Sequence, residues 1–446
     1  MTTTEGKAHR LRPYPSYKDS GVEWIGAIPA HWLAQPIRRV FSVSGGTTPD
    51  SNTPAFWDGD VLWATPEDIS KVRGKYLTDT RRKITQEGAA KTGLTLLPEG
   101  TLLLTTRAPI GNLCLTAAPM TFNQGCKALK APSHILPEHF FHVLNAAVPA
   151  LQAAGKGTTF LELSASNLKS FILPVPPLEE QQAIAAYLDR ETERIDELIR
   201  EQEALLDDLS DKRQATITHA VTKGLDARAT MKPSGVEWIG EIPAHWLAQP
   251  IRRVFSVSGG TTPDSNTPAF WDGDVLWATP EDISKVRSKY LTDTRRKITQ
   301  EGAAKTGLTL LPEGTLLLTT RAPIGNLCLT AAPMTFNQGC KALKAPSHIL
   351  PEHFFHVLNA AVPALQAAGK GTTFLELSAS NLKSFILPVP PLEEQQAIAA
   401  YLDEQLAQID QLREEVRANI QDMRIHRSAL ITAAVTGKID VRPEAE

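Results

Sequence analysis

The sequence Leu173-Pro174-Val175-Pro176-Pro177-Leu178-Glu179-Glu180-Gln181-Gln182 decides the architecture, because it recurs unchanged at residues 387–396. Its prolines close a strand and suit the first turn of a helix, where Glu179 and Glu180 complement the helix dipole. No proline or glycine follows until Gly224. That allows a helix of about 45 residues, about 65 Å at ~1.5 Å per residue. Leu188, Ile195 and Leu209 share one heptad position, with Leu198 and Leu205 on the partner position and Gln202 as a polar interruption. The second copy places Leu402, Ile409, Val416, Met423 and Leu430 in its seam, Leu412 on the partner position, and Gly437 as terminator. Two such helices predict a pair that buries the stripe between them; the alternative is that each lies on its own domain.

The recurrence extends far beyond this segment. Residues 20–189 reappear at 234–403 with a constant offset of 214, and 168 of 170 positions are the same. The exceptions are Ala27 against Glu241 and Gly74 against Ser288. Beyond Asp189 and Asp403 the copies diverge in register, then converge on ITHAVTKGLD and ITAAVTGKID. A unit this long is a domain followed by a helix and not a solenoid repeat. Within each unit, GGTTPDSNTP, WDGD, TPED, LPEG and GKGTT separate short apolar runs such as VLWA, TLLLTT and NLCLTA. This reads as a mixed domain of short strands with a few helices, including one over 138–154 that Pro149 interrupts.

The chain has 446 residues, 42% apolar and 21% charged, a composition of globular proteins. No apolar run reaches the length of a membrane span, and the polar N-terminus lacks a secretory core, so a cytoplasmic protein is expected. Cys114, Cys126, Cys328 and Cys340 form no CxxC pair and are expected to be small buried thiols. The net charge of -3 is an average over unlike parts. Residues 20–177 carry +3 and 234–391 carry +2, whereas 178–228 carry -6 and 392–442 carry -3. A phosphate backbone is therefore drawn to the mixed domains and repelled by the helices.

No catalytic constellation emerges. Asn52-Thr53-Pro54 fails the pattern of an amino-methyltransferase, and Gly155-Lys156-Gly157-Thr158-Thr159 lacks the spacing of a phosphate loop. Asp60, Glu67, Asp68 and Lys71 read as acidic turns and not as a metal nuclease, and His139 with His142 reads as a packed or surface pair. No metal site is expected.

The chain resembles the specificity (S) subunits of type I restriction-modification systems over essentially its whole length. The residues that carry the resemblance are Tyr17-Lys18-Asp19-Ser20-Gly21-Val22-Glu23-Trp24-Ile25-Gly26 with Ile28-Pro29-Ala30-His31-Trp32, Gly157-Thr158-Thr159, the proline-rich entry to Leu178-Glu179-Glu180-Gln181, and Ala220-Val221-Thr222. The resemblance implies an α/β mixed fold. Two target recognition domains are separated by two long antiparallel helices that form a coiled-coil spacer, in pseudo-two-fold circular order. The boundaries are 1–177, 178–222, 223–391, 392–437 and a tail over 438–446. Consistent with a circular order, the C-terminal AVTGKIDV followed by the N-terminal segment resembles the internal junction AVTKGLDARATMKPSGVEWIG.

The resemblance also implies that the chain carries no cofactor and no chemistry. Double-stranded DNA, two methyltransferase subunits and restriction subunits are the expected partners, with S-adenosylmethionine, ATP and Mg on those subunits. Competing classes are a stand-alone DNA-binding regulator, a fused enzyme and a protein scaffold. Base reading needs polar side chains at a groove edge, with basic groups on phosphates. Candidates are Thr47, Thr48, Arg73, Lys75, Arg81, Arg82, Thr105, Thr106, Arg107, Asn123, Gln124, Lys156, Thr158 and Thr159. Their copies are Thr261, Thr262, Arg287, Lys289, Arg295, Arg296, Thr319, Thr320, Arg321, Asn337, Gln338, Lys370, Thr372 and Thr373. The competing reading is that these residues build turns and solvated faces.

Overall fold

The computed structural model describes residues 12–107, 109–155, 162–321, 323–369 and 376–442. The chain divides into two compact units, residues 1–202 with 418–446, and residues 203–417. The division cuts through both long helices, Leu178–Lys223 and Leu392–Val435. Each unit thus contains one mixed domain, the first part of its own helix and the last part of the other.

In the first unit a five-stranded sheet runs in the order Ser42–Gly45, Cys126–Lys130, Leu102–Thr105, Leu113–Thr116, Tyr76–Leu77. Leu102, Leu104, Leu113, Leu115 and Leu129 enter a core that includes Phe140, Leu144, Ile184, Leu188, Ile431 and Val435. Leu103, Cys114, Cys126 and Ala128 enter a second core with Ala64, Met120 and Phe122. A strand buried on both faces reads as a continuous apolar run, which is why TLLLTT shows no alternation. The cysteines are buried and free, as expected. A smaller sheet pairs Trp57–Ala64 with Thr121–Phe122 and Lys83–Ile84. The helix expected over 138–154 appears as Pro137–Ala146 and Val148–Ala153, broken at Ala147 with Pro149 in the first turn of the second piece.

The helix start explains the residues that announce it. Glu180 and Gln181 donate backbone N–H groups to the Pro177 carbonyl oxygen, at 3.0 Å each. The Gln181 amide donates to the Pro176 carbonyl (2.9 Å), and its side-chain oxygen accepts from Leu136 N–H (2.8 Å), which ties the helix to the domain. Gln395 repeats both bonds in the second unit. Gly224 and Gly437, at φ +74° and +71°, terminate the helices in the left-handed conformation that glycine adopts without strain.

In each unit the two helix segments run antiparallel. In the first, Arg442 approaches Glu180 (3.5 Å) while Arg427 pairs with Asp196 (2.7 Å). In the second, Arg213 reaches Asp410 (3.4 Å), and Lys223 and Gly224 share a pocket with Ala397 and Ile398. Both alternatives for burying the stripe are therefore realised, since the helices pair and also contribute to the domain cores.

The seam differs from the sequence expectation in its second row. Leu188, Ile195, Leu209, Leu402, Ile409 and Val416 are buried as expected. Leu198 and Leu412, however, are 40% and 42% exposed, and Ile199, Leu406 and Ile420 take the second row instead. Leu205 and Met423 are partly buried. The partner row lies four residues after the first and not three. Leu198 beside Ile199 and Leu205 beside Leu206 make both spacings apolar, so the pattern alone leaves the choice open. The second row also carries Thr192, Arg213, Arg413 and Arg427; the arginines meet Asp410 and Asp196.

Candidate nucleic-acid interface

Antiparallel pairing of Ser42–Gly45 with Cys126–Lys130, and of Cys126–Lys130 with Leu102–Thr105, brings three chain segments to one end of the five-stranded sheet. The chain leaves Gly45 there, enters at Cys126 and leaves Thr105. Candidate segments Thr47-Thr48, Asn123-Gln124 and Thr105-Thr106-Arg107, distant in sequence, are thereby gathered.

Their connections are specific. A Cβ on Gly46 would stand 2.2 Å from the Phe122 carbonyl oxygen, so only glycine fits there. Thr47 N–H donates to that same oxygen (3.1 Å), and its carbonyl accepts the Trp63 indole N–H (3.1 Å). The Thr48 hydroxyl donates to the Gln124 side-chain oxygen and accepts from the Asn123 amide (3.2 Å). Asn123 Oδ1 accepts Gly125 N–H at 2.5 Å, which makes it a turn builder as well as a neighbour of Thr48. Arg107 pairs with Glu162 at 3.2 Å, both about half exposed. The second unit reproduces these contacts through Thr262 with Gln338, Asn337 with Thr262 (3.1 Å), Thr261 with Phe336 (3.1 Å) and Arg321 with Glu376 (3.1 Å).

Burial separates the candidates. Thr47, Gln124 and Arg107 are exposed, with Thr48 and Asn123 partly so. Thr105 and Thr106 are buried at 0% and 1% exposure, which removes their hydroxyls from contact with a base. Thr105 Oγ1 donates to the Pro109 carbonyl (2.7 Å) and accepts from Asn112 N–H (3.0 Å), while Thr106 Oγ1 donates to the Gly125 carbonyl (3.3 Å). Thr319 and Thr320 do the same in the second unit. Lys156, Thr158, Thr159, Lys370, Thr372 and Thr373 lie outside the described residues.

The basic candidates divide as well. The Arg82 guanidinium lies 3.5 Å from the Trp57 ring centroid and 5.9 Å from Trp63, whose indole holds Thr47, so this cation adjoins the gathered segments. Arg296 occupies the same place over Trp271 and Trp277. Arg81 and Arg295 pair with Glu67 (3.1 Å) and Glu281 (3.0 Å). Arg73 lines an open cleft beside the helices, and Arg287 is its exposed copy. Lys75 is engaged elsewhere, bonded to Asp189 at 17% side-chain exposure, and Lys289 is bonded to Asp403. Burial alone would raise the Asp189 carboxyl, but hydrogen bonds from His142 and Lys75 hold it below the ordinary carboxylate range.

Sequence reading missed Lys127 and Lys341. Each Nζ reaches the carbonyl of the preceding glutamine's turn, Lys127 to Gln124 at 3.5 Å and Lys341 to Gln338 at 3.5 Å. The signal was present in the strand CKALK, where Lys127 alternates with buried Cys126 and Ala128. His139 is fully buried with both ring nitrogens unpartnered, and burial lowers it to about 3. Among the described residues no cluster of histidine, cysteine, aspartate and glutamate has the geometry to hold a metal ion, and no helix is long and apolar enough to cross a membrane.

Comparison with known proteins places this architecture. The family described as "Type I restriction modification DNA specificity domain" matches residues 29–207 and again 243–421. The chain belongs to that family and carries its domain twice. The specificity subunit of the type I restriction enzyme MjaIX of Methanocaldococcus jannaschii is 35% identical over 166 residues, 37% of this chain and 38% of that protein. The EcoR124I/EcoR124II specificity subunit of Escherichia coli is 30% identical over 183 residues, 39% of this chain and 42% of that protein. These alignments span about two fifths of each relative's length. Among solved structures, the HsdS subunit from Thermoanaerobacter tengcongensis has the same fold, with a TM-score of 0.56 at 19% identity over 92% of this chain and 98% of that one. A chain from a structure of type I R-M system assembly has a TM-score of 0.72 at 20% identity, over 92% and 98%.

Proposed function

We propose that this chain is the non-catalytic, sequence-reading subunit of a type I restriction-modification complex, and that it reads a bipartite DNA target whose two half-sites are inverted copies of one another. The observation that carries this is the gathering of Thr47, Thr48, Gln124 and Arg107 at one sheet end, repeated residue for residue by Thr261, Thr262, Gln338 and Arg321. Exposed amide, hydroxyl and guanidinium groups on a rigid sheet end are the chemistry that reads base edges in a groove, and Arg82 with Lys127 supplies cations for phosphates. Two recognition domains that differ at two positions present the same reading groups, as the two like halves of a symmetric dimer do on a palindromic site.

In this reading the half-sites flank a nonspecific spacer, and the helices hold two methyltransferase subunits, which bring S-adenosylmethionine to an adenine in each half-site. Restriction subunits bring ATP and Mg. Single-molecule methylome sequencing of a host expressing this chain together with a type I methyltransferase subunit that binds it tests the reading. Adenine methylation at a bipartite motif with reverse-complementary halves is expected; unrelated halves would overturn it.

A further inference from the structure

The near-identical units differ around the glutamate that opens each long helix. In the first unit the Glu180 side chain is only 7% exposed and meets four donors: the Tyr14 hydroxyl (3.0 Å), His31 Nε2 (2.6 Å), the Trp32 indole (2.8 Å) and Arg442 (3.5 Å). The Tyr14 ring lies beside His31 at 5.8 Å and edge-on to Trp32 at 5.7 Å, with the Arg442 guanidinium 5.1 Å from its centroid. In the second unit His245 and Trp246 make the same bonds to Glu394, at 2.6 and 2.9 Å. Under the 214-residue offset, however, Tyr14 aligns with the exposed Arg228, and the Glu394 side chain is 38% exposed.

A pocket of about 250 Å³ opens at that place, lined by Pro243, His245, Glu394, Ala397 and Ile398 with Leu225 of the linker. It is smaller than the roughly 300–1,000 Å³ of typical ligand sites, so it suits one side chain and not a cofactor. Glu394, already oriented by two donors, stands among Pro243, Ala397, Ile398, Leu225 and Ala229, with Asp226 a second acid on the linker side and Lys223 bonded to the Glu241 carbonyl. The chain itself displays the complement: in the first unit the equivalent space is filled by a phenol with a cation over its ring.

We propose that the pocket beside Glu394 is a docking site for a basic, tyrosine-bearing extended segment of a partner protein. The phenol hydroxyl donates to Glu394, and the ring lies against His245 as Tyr14 lies against His31. A tyrosine suits such a site because it supplies a rigid apolar body with a polar tip at low entropic cost. The site does not depend on the DNA-reading assignment.

The test uses the full-length chain and a fluorescent peptide of residues 12–19, Arg-Pro-Tyr-Pro-Ser-Tyr-Lys-Asp, followed by anisotropy. Saturable binding is expected, weakened at least tenfold by Tyr14→Phe in the peptide and by Glu394→Gln in the protein. Ala397→Trp, at an exposed lining position one turn from Glu394, fills the pocket sterically while keeping the Glu394 carboxylate in the chain, and should abolish binding. Absence of saturable binding at millimolar peptide would overturn the proposal. So would equal binding by both variants, or loss in Glu180→Gln alone, which would mean exchange with Tyr14 in the first unit.

Discussion

Thr105 and Gln124 both belong to polar segments at the sheet end, but burial gives them different work. Thr105 satisfies a buried carbonyl and a buried N–H, so Thr105→Val should cost about 1–3 kcal/mol in urea unfolding. Gln124 is exposed, so Gln124→Ala with Gln338→Ala should leave the unfolding midpoint unchanged and weaken specific DNA binding by about 1–3 kcal/mol at each half-site. An equal loss of affinity on unrelated DNA would assign Gln124 to the backbone instead. The buried histidines predict a pH dependence. His139 and His353 are held at about 3 by burial, below their unfolded value near 6.5, so the unfolded chain binds more protons between those limits. Stability should be full above about pH 6.5 and should fall on acidification by up to about 1.4 kcal/mol per pH unit for each histidine. His139→Leu with His353→Leu should flatten the slope of unfolding free energy between pH 6.5 and 4.5.

The long helices show how a regular pattern settles into one of two registers. Buried Ile199 next to exposed Leu198 makes a direct comparison, because the two are neighbours of similar size on one helix. Ile199→Ala should destabilise by about 2–5 kcal/mol, whereas Leu198→Ala should stay within about 0.5 kcal/mol, read by urea denaturation. Reversal of that order would restore the seam expected from the sequence. Arg427 and Asp196 are 36% and 40% exposed, so their ion pair contributes at most about 1 kcal/mol and acts chiefly on register. The exposed faces of the helices carry the acidic excess, and this is legible from composition alone.

For the entire chain, circular order is the property with the most consequence. In the first unit two segments far apart in sequence meet: Arg12 and Asp440 form an antiparallel bridge, and Lys438 donates to the Ala27 carbonyl oxygen. In the second unit a continuous linker does the same work, with Lys223 donating to the Glu241 carbonyl (2.7 Å), the residue aligned with Ala27. Lys223 and Lys438 are one position out of register, yet they reach equivalent acceptors. A circular permutant opened between Ala227 and Arg228, with residue 446 joined to residue 1, should therefore fold with an unchanged thermal midpoint. A loss of cooperative unfolding would show that the linker carries stability that the joined ends cannot supply.

The repeat, the two long helices, the mixed domain ahead of each and the buried thiols were all legible in the residues, because repetition, heptad spacing and proline placement are local signals. The candidate reading residues were legible by type, as polar groups near turns. Their division into exposed and buried groups was not, because strand pairing decides it. Thr105 and Gln124 look alike in sequence and differ only once Cys126–Lys130 lies between two other strands. The second row of the seam, the engagement of Lys75 by Asp189 and the filling of one glutamate site by Tyr14 depend on contacts between residues as many as 262 apart. Such contacts exist only after the chain has closed on itself, so no local pattern could announce them.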